Sequence, residues 1–327
     1  MNMNKGKIEY RAMQLRYCVR RFAYKAGKQE YLPKSALNRD DFNTVISNLI
    51  LSGKPIMVGR FGSQEARATA WALGVAKGYD KAIPLYVQKR MAVGPGFFPA
   101  DDEHIRRFGL LMAKSAADLD ALAYWDSFMQ QWLLKEVCAE GITISYLENL
   151  EPYRNQGNPW TAALSGKRVL VVHPFAKSIE AQYSRKEQLF ANRKLLPDFE
   201  LQTLVPPQTI AGSADARYTD WFDALKHLEF EVDSREFDVA IIGCGAYGFP
   251  LASHVKRSGR QAIHGGGGWF RCFSASRGSA GTSNLSPRSF TTQAGSGRVW
   301  KSGLNMRMKW RTDATGKARQ AGAGFHG

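Results

Sequence analysis

Two charged residues five positions apart are the first candidates for chemistry in this sequence. Arg60 and Glu65 lie in residues 60–65 (RFGSQE), directly after the short apolar segment 55–59. A guanidinium binds a diphosphate through its planar set of N–H donors, and a carboxylate binds a divalent metal or accepts a proton. We therefore expect Arg60 and Glu65 to be catalytic, with Glu65 also a metal ligand. The alternative is a local ion pair between the two that ties the loop.

A glycine-rich turn in residues 237–251 (FDVAIIGCGAYGFPL) is the second candidate. The apolar run 239–242 predicts a buried strand, and the residues after the turn favour a helix. This order of elements presents backbone N–H groups to an anionic ligand. The residues expected to bind a cofactor or substrate here are Gly243, Gly245, Tyr247 and Gly248. A tight turn that joins a core strand to a helix is the alternative.

The same glycines match the spacing G-x-G-x-x-G of a dinucleotide-binding turn. Such a site needs an acidic residue about 20 positions later to bind the ribose. The next acid after Gly248 is Asp313. A nicotinamide-dependent oxidoreductase is therefore disfavoured, whereas the phosphates of a sugar nucleotide need no such acid.

Residues 173–178 (HPFAKS) are a third candidate, at the end of another predicted strand. We expect His173, Lys177 and Ser178 to contact a bound anionic ligand, with Ser178 capping the helix that follows. A buried, hydrogen-bonded histidine is the alternative for His173. Residues 208–212 and His264 occupy similar loop positions and are weaker candidates.

These candidates need a scaffold that brings strand ends together, and the element pattern predicts one. Strands are predicted at 55–59, 142–147, 167–174, 199–205, 239–242 and 261–264. Helices are predicted at 8–27, 40–52, 66–73, 100–140, after Ser178 and at 218–230, with Asn38 helping to cap the second. From about residue 165, strands alternate with helices, which is typical of a parallel sheet with crossover helices. The predicted fold is α/β and Rossmann-like, a mostly parallel sheet with flanking helices and an α-rich N-terminal part.

Residues 1–37 are predicted to form a separate N-terminal region with an amphipathic helix. Its apolar face at helical spacing consists of Ile8, Leu15, Cys18, Val19 and Phe22, and Arg16 and Arg20 lie on the opposite face. We expect the apolar face to pack on the protein's own body. Contact with an acidic membrane surface is the alternative.

The net charge of +16 is concentrated in the C-terminal part. Residues 265–327 hold ten Lys or Arg and one acid, a balance of +9, which leaves +7 for residues 1–264. The excess is thus a property of an irregular basic tail, and no specific nucleic-acid binding is expected. Four widely spaced cysteines without a CxxC pair favour reduced, cytosolic thiols. Zincin, serine-hydrolase and P-loop motifs do not occur in the sequence.

Six segments together resemble bacterial glycosyltransferases of the GT-D type and related uncharacterised proteins of surface-polysaccharide gene clusters. They are GRFGSQE at 59–65, VVHPFAKSIEAQY at 171–183, PPQTIAG at 206–212, Trp221-Phe222, IIGCGAYGFPLA at 241–252 and QAIH at 261–264. The resemblance covers roughly residues 40–264 and implies a catalytic domain over 38–264. It implies a Rossmann-like transferase that moves a sugar from a nucleotide donor, usually a UDP-sugar, with a divalent metal such as Mn²⁺. It also implies a glycan or glycoprotein acceptor, and a cytoplasmic location at the inner face of the membrane.

The sequence departs from the family pattern at one acidic position. Characterised members carry a segment resembling R-x-G-D-G-E, and here Ser63 stands where the aspartate is expected. Glu65 alone matches the acidic pair. The alternative function is a non-catalytic sugar-nucleotide-binding or scaffold protein that has lost the acidic metal pair.

The tail from Gly265 onward breaks the α/β pattern, and we hypothesise a frameshift near its four glycines. Codons can be chosen for residues 269–277 such that the same bases also encode a second peptide in a shifted reading frame. If translation begins at the third base of the Trp269 codon, that peptide is VQVLFGIK. Related proteins continue after a QAIH-like strand with a segment resembling QLLFGIKGKRW. The alternative is a disordered basic tail of residues 265–327. Resequencing the gene through the glycine run tests the hypothesis, and one intact frame shared by related genes would contradict it.

Overall fold

The computed structural model describes residues 3–25, 33, 35–155, 157–209, 215–265, 310–312 and 318–320. A seven-stranded sheet lies at the centre, all of its pairs parallel, in the order β3-β2-β1-β7-β6-β4-β5. The strands are β1 Ile56–Gly59, β2 Ala121–Tyr124, β3 Thr143–Tyr146, β4 Arg168–Val172, β5 Glu200–Leu204, β6 Val239–Ile242 and β7 Gln261–His264. The predicted α/β class and parallel sheet are confirmed.

Helices cover both faces of this sheet. They are α1 Met3–Lys25, α2 Arg39–Leu51, α3 Ser63–Ala76, α4 Leu85–Val93, α5 Asp102–Ala116, α6 Gln130–Val137, α7 Ala176–Tyr183, α8 Trp221–Asp233 and α9 Gly248–Arg257. Short 3₁₀ turns follow β3 and β6. Within the described part of the chain, no helix is both long and apolar enough to cross a bilayer.

The sheet separates two hydrophobic cores. Strands β2, β1, β7 and β6 are adjacent, and each is buried along its whole length. Because successive side chains of a strand point to opposite faces, Met57 joins one core while Val58 joins the other. The first core holds apolar side chains of α3, α5, α8 and α9, and the second holds those of α2 and α7. Strands covered on both faces explain the uninterrupted apolar runs of the sequence.

The predicted helix at 100–140 is wrong, because strand β2 lies inside that range. Helix α5 ends at Ala116, and Ala121–Tyr124 then pairs with β1 and β3. The carboxylate of Asp120 accepts the Met57 N–H at 2.7 Å and bonds Lys256 Nζ at 2.8 Å, which holds the start of the strand. A four-residue apolar run cannot be assigned to helix or strand from periodicity alone, so the sheet partners decide it.

Helix capping matches the sequence at one site and not at another. Asn38 caps α2 as predicted, its side chain accepting the Asp41 N–H at 2.9 Å. The prediction that Ser178 caps a helix is wrong, since α7 begins at Ala176 with Phe175 at its N-cap. Ser178 is an exposed residue of the first turn.

Helix α1 packs through a different face from the predicted one. Tyr10 is fully buried, donates to Asp80 Oδ2 at 2.7 Å and meets the Trp132 ring edge-on at 4.9 Å. Tyr17 meets Phe128 in the same way at 5.1 Å. The side chains expected to pack inward are instead exposed, namely Ile8, Leu15, Cys18 and Val19, while that of Phe22 lies outside the described residues. A tyrosine can be buried because its ring is large and apolar and its hydroxyl finds a hydrogen-bond partner. The predicted face was chosen from purely apolar residues, so it left the tyrosines out.

The chain divides into two compact units, Met1–Ala280 and Gly281–Gly327. The first contains α1 together with the sheet. In the second, the structure describes one antiparallel pair, β8 Trp310–Thr312 and β9 Ala318–Gln320. The rest of the predicted tail, including the frameshift hypothesis, lies outside the described residues.

Candidate functional site

The carboxyl ends of parallel strands meet at one edge of a sheet, and four candidate segments begin there. Arg60 follows β1, His264 ends β7, Gly243 follows β6 and His173 follows β4. These four strands are consecutive in the sheet order. The sheet therefore brings together the segments that the sequence singled out, although they are up to about 200 residues apart in the chain.

Glu65 is folded back over the beginning of its own helix. Helix α3 has Gly62 at its N-cap, so Glu65 is the third helical residue, the position from which a glutamate reaches back in a capping box. A methyl group built on Gly62 would lie 2.1–2.4 Å from the Glu65 carboxyl atoms. Burial raises the pKa of Glu65, while Arg60 and the backbone N–H groups of Gln64 and Glu65 lower it. The carboxylate is thus partly occupied with the helix N-terminus.

Arg60 is half-buried at the exit of β1 and keeps its donor groups available. Within the described residues, no carboxylate oxygen lies within 4.0 Å of its guanidinium, and it donates no hydrogen bond. The alternative of a local Arg60–Glu65 ion pair is therefore not found in the structure. Burial lowers the pKa of Arg60, and the charges of Glu65 and Glu151 raise it. Arg60 is a cation in a partly desolvated place, with two acids near but not bonded to it.

His264 is buried and closes the space between β7 and the glycine turn. Its Nδ1–H donates to the Ile242 carbonyl at 3.2 Å, and a Cβ on Gly248 would meet its ring at 2.4 Å. Burial, with the nearby Arg60 charge, lowers the pKa of His264 to about 3, so the ring is neutral at pH 7. Phe249 meets the His264 ring edge-on at 6.1 Å and stacks on Phe61 at 4.8 Å. The Arg60 loop and the glycine turn are joined by these rings.

The glycine turn is filled by another loop of the same chain. Gly245 has φ +63°, which favours glycine, and a Cβ there would lie 3.1 Å from the Pro95 carbonyl oxygen. The Ala246 N–H donates to that same carbonyl at 3.5 Å, and the Gly243 N–H donates to Val172 at 2.9 Å. Residues of the segment 94–99 thus occupy the close approach that the glycines allow.

Tyr247 belongs to this packing as well. It is buried, its ring stacks on Trp221 at 5.0 Å, and its hydroxyl lies 3.2 Å from Thr209 Oγ1. Thr209 Oγ1 donates to the Gly96 carbonyl at 2.6 Å. The structure therefore supports the tight-turn alternative for this segment, and ligand binding by Gly243, Gly245, Tyr247 and Gly248 stays a prediction.

His173 is buried and its Nδ1 accepts the Phe175 N–H at 3.1 Å. Burial lowers its pKa to about 4, so it is neutral at pH 7. This is the structural role given above as the alternative. Lys177 and Ser178 are exposed in the first turn of α7.

A crevice is expected between the ends of β4 and β6. Helix α7, which follows β4, packs into one core through Ile179, and helix α9, which follows β6, packs into the other through Leu251. Neighbouring strands whose helices leave to opposite faces form the usual ligand crevice of an open parallel sheet. His173 and Gly243 flank it.

The donor groups around Arg60 suit an anion better than a metal. In the part of the chain that the structure describes, no three His, Cys, Asp or Glu residues are grouped to hold an ion. Glu151 accepts from Arg154 Nε at 2.7 Å and from the Tyr153 hydroxyl, and Ser63, at the position where the resemblance implies an aspartate, has no carboxylate. These residues do not by themselves make a metal site, and a metal on Glu65 stays a prediction.

Two residues near the site were missed by the sequence reasoning. Glu151 is not among the candidates named from the sequence, and its position shortly after β3 is the signal that could have found it. Trp125 lies within the range 100–140 that was predicted to be helical, but it follows β2 and its Nε1–H donates to the Phe61 carbonyl at 2.7 Å.

Two solved structures resemble the chain. One is described as "The highly conserved domain of unknown function 1792 has a distinct glycosyltransferase fold", with 14% identity over 68% of this chain and 76% of that one and a TM-score of 0.40. The other is a selenomethionine-substituted structure of domain of unknown function 1792, with 14% identity over 70% and 82% and a TM-score of 0.37. Both TM-scores lie below 0.5, so these similarities carry no conclusion about the donor, the acceptor or the reaction of this chain.

No protein family and no curated protein matches the chain.

The contact between Gly248 and His264 is tested by substitution. In Gly248→Ala the new methyl meets the His264 ring, and we expect the free energy of unfolding to fall by about 1–3 kcal/mol. Gly94→Ala is the control, since the nearest atom to its Cβ is 3.4 Å away, and a change within about 0.5 kcal/mol is expected. Urea unfolding measures both. Equal midpoints for the two variants would contradict the proposed crowding.

The two buried histidines predict an acid-sensitive stability. Folding lowers the pKa of His173 to about 4 and of His264 to about 3, from 6.5. Below pH 6.5 the unfolded chain therefore binds protons that the folded chain does not, and the free energy of unfolding falls as the pH drops from about 6.5 to about 4. His173→Asn keeps an acceptor for the Phe175 N–H and is expected to reduce this pH dependence. The exposed His227→Asn should leave it unchanged; equal slopes in both variants would contradict the assignment.

Proposed function

We propose that this protein transfers a sugar from a nucleotide-sugar donor, with a UDP-sugar as the favoured donor, to a glycan or glycoprotein acceptor of surface-polysaccharide assembly. The observation that carries the proposal is the placement of Arg60. Its guanidinium lies at the carboxyl end of a central strand and bonds to no described residue. Desolvation strengthens its attraction for a diphosphate.

Arg60 has a role in the departure of the leaving group. As the bond between the sugar and the nucleoside diphosphate breaks, negative charge accumulates on the diphosphate oxygens. A fixed guanidinium offsets that charge without having to reorganise. The planar fork of Arg60 also fixes the orientation of the diphosphate, which a lysine would do less well.

Glu65 is proposed to take up the proton that the acceptor hydroxyl loses. Burial raises the pKa of Glu65 above its usual value, which makes the carboxylate a better proton acceptor, and the Arg60 charge opposes that rise. A divalent ion, where it binds, would supply further positive charge at the diphosphate. The acceptor oxygen forms the new bond to the sugar as the bond between the sugar and the diphosphate breaks, the nucleoside diphosphate leaves beside Arg60, and the proton passes to Glu65.

A second candidate is binding of a sugar nucleotide without turnover. Two features favour it, namely Ser63 at the expected acidic position and a Glu65 carboxylate folded toward its own helix. In that case Arg60 still binds the diphosphate, but no sugar is released from it.

Substitution of Arg60 tests the diphosphate site. Arg60→Gln removes a charged donor, and we expect the affinity for UDP and UDP-sugars to fall by about 10- to 100-fold. Arg60→Lys keeps the charge but loses the fork, so an intermediate affinity is expected. Thermal shift and calorimetric titration against a nucleotide-sugar panel, with and without Mn²⁺, measure these affinities.

Arg168→Gln is the matched control. Arg168 begins β4 at the opposite edge of the sheet, where it pairs with Asp238 at 3.0 Å. Its substitution should leave UDP affinity unchanged. An Arg60→Gln variant that binds UDP like the parent protein would remove Arg60 from the site. UDP release assayed on the parent and on Glu65→Gln then separates the two functions, since binding without release favours the non-catalytic one.

A further inference from the structure

Helix α1 presents an apolar stripe to solvent. Ile8, Leu15 and Val19 are 70%, 67% and 60% exposed. Their spacing of seven and four residues places them on one line along the helix. The opposite side of α1 packs on the protein through Tyr10 and Tyr17. The stripe is therefore held outward by a well-packed inner face.

Exposed cations lie beside this stripe, and Arg16 is one of them, because the side of α1 opposite the stripe is packed on the protein. Lys5, Lys7 and Arg16 are exposed, and within the described residues no carboxylate lies within 4.0 Å of them. The one acid of the helix, Glu9, is already paired with Lys135 at 3.1 Å. The outward surface of α1 thus combines apolar side chains with positive charge that the described residues leave unbalanced.

We propose that this outward surface of α1 docks on an anionic lipid bilayer, with the helix lying in the interfacial plane. An apolar stripe edged by lysine and arginine is the composition that binds such a surface, since the apolar side chains enter the headgroup region while the cations meet lipid phosphates. The occupant is a bilayer rather than a second copy of the chain, because a second copy would bring the same cations against this face.

Helix α4 has an exposed surface of similar composition. Leu85 and Val93 are 70% and 61% exposed, and Lys89 and Arg90 are exposed between them. Ring contacts connect the two helices, since Arg67 lies over both Tyr86 and Phe128, and Phe128 meets Tyr17. The segment after α4 fills the glycine turn of the candidate site. A series of ring contacts therefore links the docking helix to α4, and α4 leads into the segment that packs on the glycine turn.

Vesicle co-sedimentation of the full chain tests the proposal. Vesicles of phosphatidylcholine alone are compared with equal parts of phosphatidylcholine and phosphatidylglycerol. The parent protein is expected to bind the anionic vesicles. Substituting Ile8, Leu15 and Val19 together by Gln keeps the charge and the helix propensity but removes the stripe, so partitioning should fall by about tenfold or more.

The matched control removes exposed apolar surface elsewhere. Leu51→Gln with Phe230→Gln changes side chains that are 65% and 67% exposed on α2 and α8. This pair should bind vesicles like the parent. Substituting Lys5, Lys7 and Arg16 by Gln should weaken binding to anionic vesicles only.

Three outcomes would overturn the proposal. One is equal binding of the parent and the stripe variant, which would assign adsorption to charge elsewhere, such as the ten Lys or Arg of residues 265–327. Another is an equal loss in the control pair. A third is a dimer, seen by light scattering, that the stripe variant dissociates without any vesicle binding. Unfolding curves confirm that the variants fold, and UDP affinity measured on them distinguishes failure of docking from failure of the proposed function.

Discussion

The burial of four adjacent strands on both faces is the constraint on which the rest of the structure depends. Strands β2, β1, β7 and β6 have no exposed residue, so their neighbours must be helices on either side. Helical crossovers make neighbouring strands parallel, and parallel strands place all their carboxyl ends at one edge. Residues from distant parts of the chain, such as Arg60 and His264, meet at this edge for that reason.

The loops at this edge pack on one another. The glycines of the turn after β6 are explained by contacts within the protein, with Pro95 against Gly245 and His264 against Gly248. The G-x-G-x-x-G spacing suggests phosphate binding, but in this structure its glycines allow other parts of the chain to approach the turn closely. These contacts form a packed surface beside Arg60, and the proposed transfer reaction would need such a preorganised surface.

Two carboxylates, those of Glu65 and Glu151, lie near Arg60 without forming a salt bridge to it. Glu65 and Glu151 raise the pKa of Arg60, yet Glu65 is drawn to the start of α3 and Glu151 is bonded by Arg154 and Tyr153. Within the described residues, the guanidinium of Arg60 therefore keeps its N–H donors unbonded. Neutral His264 beside it adds no competing positive charge.

The sequence by itself determined the fold class, most of the elements and the segments that reach the carboxyl edge. An uninterrupted apolar run such as 239–242, bounded by turn residues, is enough to predict a strand without knowledge of its partners. The tertiary structure decided what local patterns leave open. β2 is a strand because β1 and β3 bind it, and α1 turns its tyrosines inward because Trp132, Phe128 and Asp80 lie there. The glycine turn is a packed wall because residues 94–99 fill it. Each of these depends on a partner distant in sequence, and a local pattern carries no information about that partner.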